Sequence, residues 1–126
     1  MRRVLKVLNV FLILLLVVGC TTSQSVTQKL AGKYVMYDSD GRKFSITLEE
    51  PESKDDTSGN ASFYMGNREK EYYGSYEVYE KSKTIVVSYD EGWSKNSTKE
   101  LSYDLENNTL SLEHSNGYGV GVYEKQ

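Results

Sequence analysis

Residues 101–112 have the sequence LSYDLENNTLSL, which predicts a complete β-hairpin. On each side of the central Asn107-Asn108 pair, an apolar residue stands at every second position. This period of two is typical of a strand with one buried face and one face in water. Asparagine tolerates the left-handed backbone conformation that tight turns require. We therefore expect two antiparallel strands joined by a turn at residues 106–108.

The same alternation extends outward through residues 30–126, and no window there has the i, i+3, i+4, i+7 apolar stripe of a helix. Gly, Asn and Asp cut it into short segments, and Gly74 permits a bend within one of them. We expect strands at 33–37, 44–48, 61–65, 72–79, 84–89, 101–105, 110–112 and 118–123, with polar loops at 49–60 and 90–97. One face would supply the core: Phe44, Ile46, Leu48, Phe63, Met65, Val78, Ile85, Val87, Leu101, Tyr103, Leu110 and Leu112.

Hairpin-length links between strands in sequence order predict an all-β fold, an antiparallel meander. About eight such strands close into a small up-and-down barrel whose interior the side chains just fill. A weak internal repeat with an offset of 25 residues supports the count. Tyr76, Val78, Ile85, Val87 and Gly92 align with Leu101, Tyr103, Leu110, Leu112 and Gly117.

The N-terminal stretch, MRRVLKVLNVFLILLLVVGC, has the layout of a secretory signal. Basic residues precede an apolar run over 10–18, and Gly19 stands before Cys20. The sequence Val17-Val18-Gly19-Cys20 resembles the lipobox of bacterial lipoproteins. The resemblance implies cleavage between Gly19 and Cys20, after which the diacylated Cys20 is the new N-terminus.

Two other interpretations of the leader are an uncleaved membrane anchor and an ordinary secretory signal. A spanning helix needs roughly 20 apolar residues, and this run is shorter. An ordinary signal would not need a cysteine at the cleavage position. We therefore divide the chain into a signal peptide with a helical apolar region (1–19), a lipidated tether (20–29) and one β-barrel domain (30–126).

Three segments of the domain carry a second resemblance. They are Leu30-Ala31-Gly32-Lys33-Tyr34, Asn108-Thr109-Leu110-Ser111-Leu112 and the closing Val122-Tyr123-Glu124-Lys125. Together they resemble small lipocalin-like β-barrel lipoproteins of bacteria, a group in which many domains have no assigned activity. The resemblance covers roughly the whole mature domain, and it implies a lipocalin-like fold rather than a particular function.

Composition restricts the partners of the mature chain. Cleavage leaves 107 of the 126 residues and removes three of the 15 basic residues, so 12 face 18 acidic ones, a formal net charge of −6. An acidic chain without a basic patch repels nucleic acid. Because Cys20 is the only cysteine, no intramolecular disulfide can form, and stability must come from packing.

Catalytic and metal-binding patterns are weak in this sequence. His114 is the only histidine, and the serines lack nucleophile-elbow spacing. The glycine-rich 117–121 segment is followed by too few residues for a phosphate-binding helix. The carboxylates of residues 49–56 depart from EF-hand spacing, which favours a solvated loop over a calcium site. We expect no catalytic residue, metal or cofactor.

Tyrosine is the one suggestive surplus, with 11 residues, all in the mature chain. Tyrosine enriches binding surfaces because it combines a rigid apolar ring with a hydrogen-bonding tip. Tyr72, Tyr73 and Tyr89 are predicted to lie off the core face or near its ends, and Trp93 lies in the 90–97 loop. These four residues form the candidate binding surface, with cladding of the barrel as the structural alternative.

We therefore expect a lipid-anchored protein of the bacterial cell membrane or outer membrane. Its expected role is that of a non-enzymatic binding module for a protein or a small apolar ligand. The alternatives are a structural envelope lipoprotein without a ligand, and a hydrolase inhibitor. The expected partners are the membrane, through the lipid on Cys20, and the bound protein or ligand.

Overall fold

The computed structural model describes residues 24–89, 97–113 and 119–126. They form one short helix, α1 (Val26–Leu30), and eight strands: β1 (Gly32–Tyr37), β2 (Lys43–Leu48), β3 (Ser58–Met65), β4 (Lys70–Tyr79), β5 (Thr84–Tyr89), β6 (Ser97–Asp104), β7 (Thr109–Leu112) and β8 (Gly121–Lys125). Each strand pairs antiparallel with the next, and β8 pairs with β1. The predicted antiparallel barrel is confirmed. The predicted signal helix lies outside the described residues.

The barrel interior is filled by the face that alternation predicted. Every residue of the predicted core is buried. The core also contains Leu30, Tyr34, Met36, Ala61, Tyr72, Tyr76, Tyr89 and Tyr123. Full burial of a large apolar side chain contributes roughly 1.5–3 kcal/mol. Aromatic and aliphatic packing is therefore the main source of stability.

Three hairpins share one turn geometry. A four-residue connection separates the last pair of each ladder, and its final residue has a positive φ: 51° at Glu69, 54° at Lys83 and 54° at Asn108. Lys83 and Asn108 occupy equivalent positions of the internal repeat. The repeat therefore corresponds to one hairpin geometry used twice, and the left-handed conformation expected of the asparagine turn is confirmed at Asn108.

Strand β3 begins inside the segment predicted as a loop at 49–60. Ser58, Gly59 and Asn60 pair with Glu77, Tyr76 and Ser75 of β4. Cross-strand hydrogen bonds thus extend the strand through polar residues that alternation alone cannot assign. The connection between β2 and β3 is consequently residues 49–57.

Strands β6 and β8 also differ from their predicted bounds. Strand β6 begins at Ser97 and ends at Asp104, so Leu105 lies in the turn and packs against the core from there. Strand β8 runs to Lys125 rather than ending at Tyr123, because Glu124 pairs with Thr109 and Lys125 pairs with Tyr34. The partner strands set these limits.

Alternate connections of a meander lie at the same end of the barrel. We call the end that carries α1, residues 49–57 and the turns 80–83 and 105–108 the base. The Ser25 side chain accepts a hydrogen bond from the Gln28 backbone, and the Gln28 side chain accepts one from the Ser25 backbone. This reciprocal cap fixes the start of α1.

Helix α1 closes the base of the barrel. Thr27 and Leu30 are buried, and the Lys125 ammonium donates to the Lys29 carbonyl oxygen over 2.8 Å. Residues 26–29, which the sequence places in the tether, form α1 together with Leu30. Capping and burial order this polar segment although its composition resembles that of a linker.

The seam between β1 and β8 has the shortest ladder among the described strands. Strand β1 pairs with β2 at six positions but with β8 only at Tyr34–Lys125 and Val35–Glu124. The Gln126 backbone N–H adds one bond to the Lys33 carbonyl at the base end. Among the described residues, no ladder pair joins the other half of β1 to β8.

Candidate functional site

The outer face of β3, β4, β5 and β6 carries a row of short polar side chains that crosses the strands. Asn60 pairs with Ser75, Ser75 with Ser88, and Ser88 with Thr98. Their outward direction follows from strand alternation, since each is next to a buried residue. We call these four residues the polar row. Adjacent strands are about 4.8 Å apart, so the groups repeat at that spacing.

Two shallow grooves lie along this face. The first has a volume of about 400 Å³ and is lined by Ser58, Asn60, Ser75 and Ser88, among others. The second has a volume of about 380 Å³, and its lining includes Thr84, Thr98, Ser102 and Ser111. The two adjoin because the first contains Ser88 and Val86, while the second contains their cross-strand partners Thr98 and Glu100. Together they form one hydroxyl-lined depression from β3 to β7.

Gly74 allows β4 and β5 to approach closely beside the first groove. A Cβ atom at this inward position would overlap the backbone oxygen of Ser88. Strand β4 therefore passes very close to β5 there, which only glycine allows. This close approach lies beside Ser75 of the polar row.

Two exposed tyrosines of β4 flank the first groove. The Tyr73 side chain is 62% exposed and the Tyr79 side chain 50% exposed. Both face outward on the same strand, six residues apart, which corresponds to about 20 Å. The Glu71 carboxylate raises the pKa of Tyr73, and the Tyr73 hydroxyl donates to it over 3.3 Å. Tyr73 thus lies off the core face, as expected.

The other two tyrosines of the candidate binding surface lie inside the barrel. Tyr72 is 4% exposed and Tyr89 is 5% exposed. Each lies near the end of its strand, but their burial removes both from an exposed binding surface. Side chains at every second position of a strand lie on the same face. Tyr72 is four residues from the buried Tyr76, and Tyr89 is two residues from the buried Val87, so both side chains turn inward.

Three interior tyrosines bond to the backbone at the barrel ends. Tyr34 donates to the Leu30 carbonyl over 2.7 Å, and Tyr76 donates to the Glu49 carbonyl over 2.6 Å. Tyr123 donates to the Gly119 carbonyl over 2.6 Å. Burial raises the pKa of Tyr34 and that of Tyr76 to about 12, and raises the pKa of Tyr123 further. These phenols remain protonated and fasten the ends to the core.

Tyr89 lacks such a bond. Its hydroxyl is buried and has no hydrogen-bond partner among the described residues, and its ring lies 5.8 Å from that of Phe63. The Lys99 ammonium lies 5.2 Å from the Phe63 ring centroid, and burial lowers the pKa of Lys99. Sequence reasoning missed this inward lysine, although its parity with Leu101 could have identified it.

Three other predicted site residues, Gly19, Cys20 and Trp93, lie outside the described residues, and so does His114. Within residues 24–89, 97–113 and 119–126, no three His, Cys, Asp or Glu side chains are grouped so that they could hold a metal ion. In the same ranges, no helix is long and apolar enough to cross a bilayer.

Apart from Val86, the side-chain groups that the described residues of β3–β6 direct outward are hydroxyl, amide, phenol and carboxylate. They suit reversible contact through hydrogen bonds and ring stacking. No family model matches the chain, and no curated protein or solved structure shows significant similarity to it.

Proposed function

We propose that this protein is a lipid-anchored, non-enzymatic binding module of the bacterial cell envelope, and that the outer face of β3–β6 is its binding surface. The observation that carries the proposal is the pair of adjoining grooves flanked by Tyr73 and Tyr79. Tyrosine with serine and asparagine is the composition of surfaces that bind by rigid rings and adaptable hydrogen bonds.

The packing of the interior favours a site on the outside. Large side chains occupy the inward positions, and α1 closes the base. Toward the other end, the backbone of Gly119 lies so close to Phe63 that a Cβ atom there would be 3.0 Å from the ring. A small apolar ligand inside the barrel would have to displace this packing, which costs free energy.

The length of chain between the lipid and α1 limits how far the barrel can lie from the membrane. With lipid on Cys20 and α1 starting at Val26, only residues 21–25 separate the membrane from the base. Extended chain covers about 3.5 Å per residue, so the base lies within roughly 20 Å of the bilayer. The base then faces the membrane, and the outer face of β3–β6 is presented sideways to other envelope components. The envelope membrane is the bacterial cell membrane or the outer membrane.

Tyrosine footprinting in intact cells tests the binding surface. Exposed phenols are iodinated in cells that express the protein and in the purified full chain, and the labelled tyrosines are identified by mass spectrometry. We expect Tyr73 and Tyr79 to be protected in cells and labelled after purification. Tyr37, which is 66% exposed on β1, is the matched control and should be labelled in both samples.

Equal labelling of Tyr73 and Tyr79 in cells and after purification would contradict a binding role for this face. That result is what the structural alternative, an envelope lipoprotein without a ligand, predicts. A hydrolase inhibitor would instead be expected to contact its target through a rigid loop, so it would protect residues at the barrel ends rather than β4.

A further inference from the structure

We infer that the adjoining grooves bind a neutral polysaccharide strand, with the polar row as its hydrogen-bonding track and Tyr73, the next outward residue before Ser75 on β4, as a stacking platform beside it. This inference rests on the proposed function, since it names the ligand of the same face.

The polar row matches the chemistry of a sugar chain. Serine and threonine hydroxyls and the asparagine amide both donate and accept hydrogen bonds, as sugar hydroxyls do. Asn60, Ser75, Ser88 and Thr98 repeat about every 4.8 Å, a spacing close to the length of one hexose ring. An exposed tyrosine ring offers a flat apolar plate for the C–H face of a sugar.

The length of the depression favours a polymer over a single sugar. The two grooves continue across five strands, and three strand spacings of the polar row alone cover about 14 Å. A single ring would contact only part of this track.

The charge of the surface excludes anionic polymers. Glu77 and Glu100 face outward two residues from Ser75 and Thr98 on the same strands. Glu113 lines the second groove. Among the described residues of β3–β6, no lysine or arginine occupies a position whose side chain points to the same outer face as the polar row. Lys99 also borders the second groove, but its side chain is buried and turned inward. Phosphate- or sulfate-bearing chains would therefore meet outward-facing carboxylates without an outward-facing cation.

A peptide fits this face less well. Strand addition needs an unpaired sheet edge, whereas β3, β4, β5 and β6 are each paired on both sides. A helix needs an apolar groove, and Val86 is the one aliphatic side chain that the described residues of these strands direct outward. Hydroxyl groups dominate instead.

The test uses the full chain in detergent micelles and a β-1,4-linked N-acetylglucosamine tetramer as the probe. Titration is followed by the backbone amide signals in NMR spectra and by calorimetry. We expect the amides of Asn60, Ser75, Ser88 and Thr98 to shift together and to saturate. A sulfated tetramer of similar length should leave them unchanged.

Substitutions that fill the groove provide the second arm. Ser75→Arg and, independently, Ser88→Arg should weaken binding of the tetramer at least about tenfold, which corresponds to 1.4 kcal/mol. Thr109→Arg is the matched control, because Thr109 lies on β7 between Asp104 and Glu124, away from the polar row. Unchanged thermal unfolding midpoints show that the variants fold.

A probe that shifts no row amide, or that binds Ser75→Arg and Ser88→Arg as tightly as the natural chain, overturns the polysaccharide inference. If Tyr73 and Tyr79 are still protected in cells, the binding surface stands and its ligand is a protein. If they are labelled equally in cells and after purification, the proposed function falls as well.

Discussion

The hydroxyl of Tyr76 donates to the carbonyl oxygen of Glu49 over 2.6 Å, which joins the middle of β4 to the end of β2 at the base of the barrel. The two residues are 27 positions apart in sequence. Because the Tyr76 ring is buried while Glu49 is at the surface, this bond fastens a connecting segment to the core. A small barrel without disulfides depends on such links.

Tyr76→Phe should lower the free energy of unfolding by about 1 kcal/mol, the usual net worth of one hydrogen bond. The ring and its packing remain, so only the bond to Glu49 is lost. Urea denaturation with an unchanged m-value measures the effect. A variant as stable as the natural chain would show that the bond contributes nothing.

Tyr89→Phe should have the opposite sign. Its buried hydroxyl has no partner among the described residues, so removing it relieves a desolvation cost of about 1 kcal/mol. The variant should unfold at a higher urea concentration than the natural chain. Destabilisation comparable to that of Tyr76→Phe would mean that the hydroxyl is hydrogen-bonded in solution.

The stability of the barrel should fall at alkaline pH. An unfolded tyrosine has a pKa of about 10.0, whereas burial raises the pKa of Tyr34 and Tyr76 to about 12. Between these values the unfolded state has lost phenol protons that the folded state retains, so unfolding is favoured as pH rises. This contribution is fully present below pH 10 and is lost through pH 12.

Thermal unfolding across pH 8–12, combined with phenolate absorbance, measures this dependence. Phenolate absorbance from Tyr34 and Tyr76 should rise together with the loss of folded structure as the pH approaches 12. Burial lowers the pKa of Lys99. The cost of holding its charged form in the fold is therefore removed as the pH rises to the pKa of an unfolded lysine, about 10.5, and above that pH Lys99 no longer changes the stability. An unfolding midpoint that does not change between pH 10 and 12 would contradict the prediction.

Gly74→Ala should destabilise the barrel by about 3 kcal/mol, the upper end of the usual cost of overpacking. The added Cβ would overlap the backbone oxygen of Ser88, which cannot move aside as a flexible side chain can. Ser75→Ala, the adjacent outward position, is the control and should change stability by less than about 0.5 kcal/mol. Equal stabilities would show that β4 can separate from β5 at no cost.

Cys20→Ser should release the protein from membranes or block its processing. Each buried CH₂ of an acyl chain contributes about 0.8 kcal/mol to membrane binding, and stable anchoring needs more than one chain. Fractionation and palmitate labelling are the measurements. A serine variant that still sediments with membranes and incorporates palmitate would exclude lipidation at Cys20.

Alternation in the sequence was sufficient for the barrel but not for all of its details. Leu110 and Leu112 are buried as their spacing predicts, because period two is a direct property of strand geometry. Tyr72 was assigned to the candidate binding surface, although it is buried, because tyrosine is common on both sides of a sheet. Its parity with Tyr76 was the stronger signal.

The candidate site could be predicted from the sequence less well than the barrel. The polar row lies on four strands, and its residues come together only through register, which depends on pairing across the sheet. Serines at alternate positions are also what any solvated strand carries. The inward direction of Lys99 could have been derived from Leu101, whereas the grooves could not.

The short ladder between β1 and β8 should be the place where the barrel opens locally. Two paired positions close this joint, against six between β1 and β2, so separating it breaks the fewest hydrogen bonds. Transient opening should start at Met36 and Tyr37, for which the described part of β8 supplies no ladder pair, and leave β3–β5 intact. Amide protons along β8 should then exchange with deuterium earlier than those of β4. Such an order would identify the β1–β8 pair as the first part of the barrel to separate.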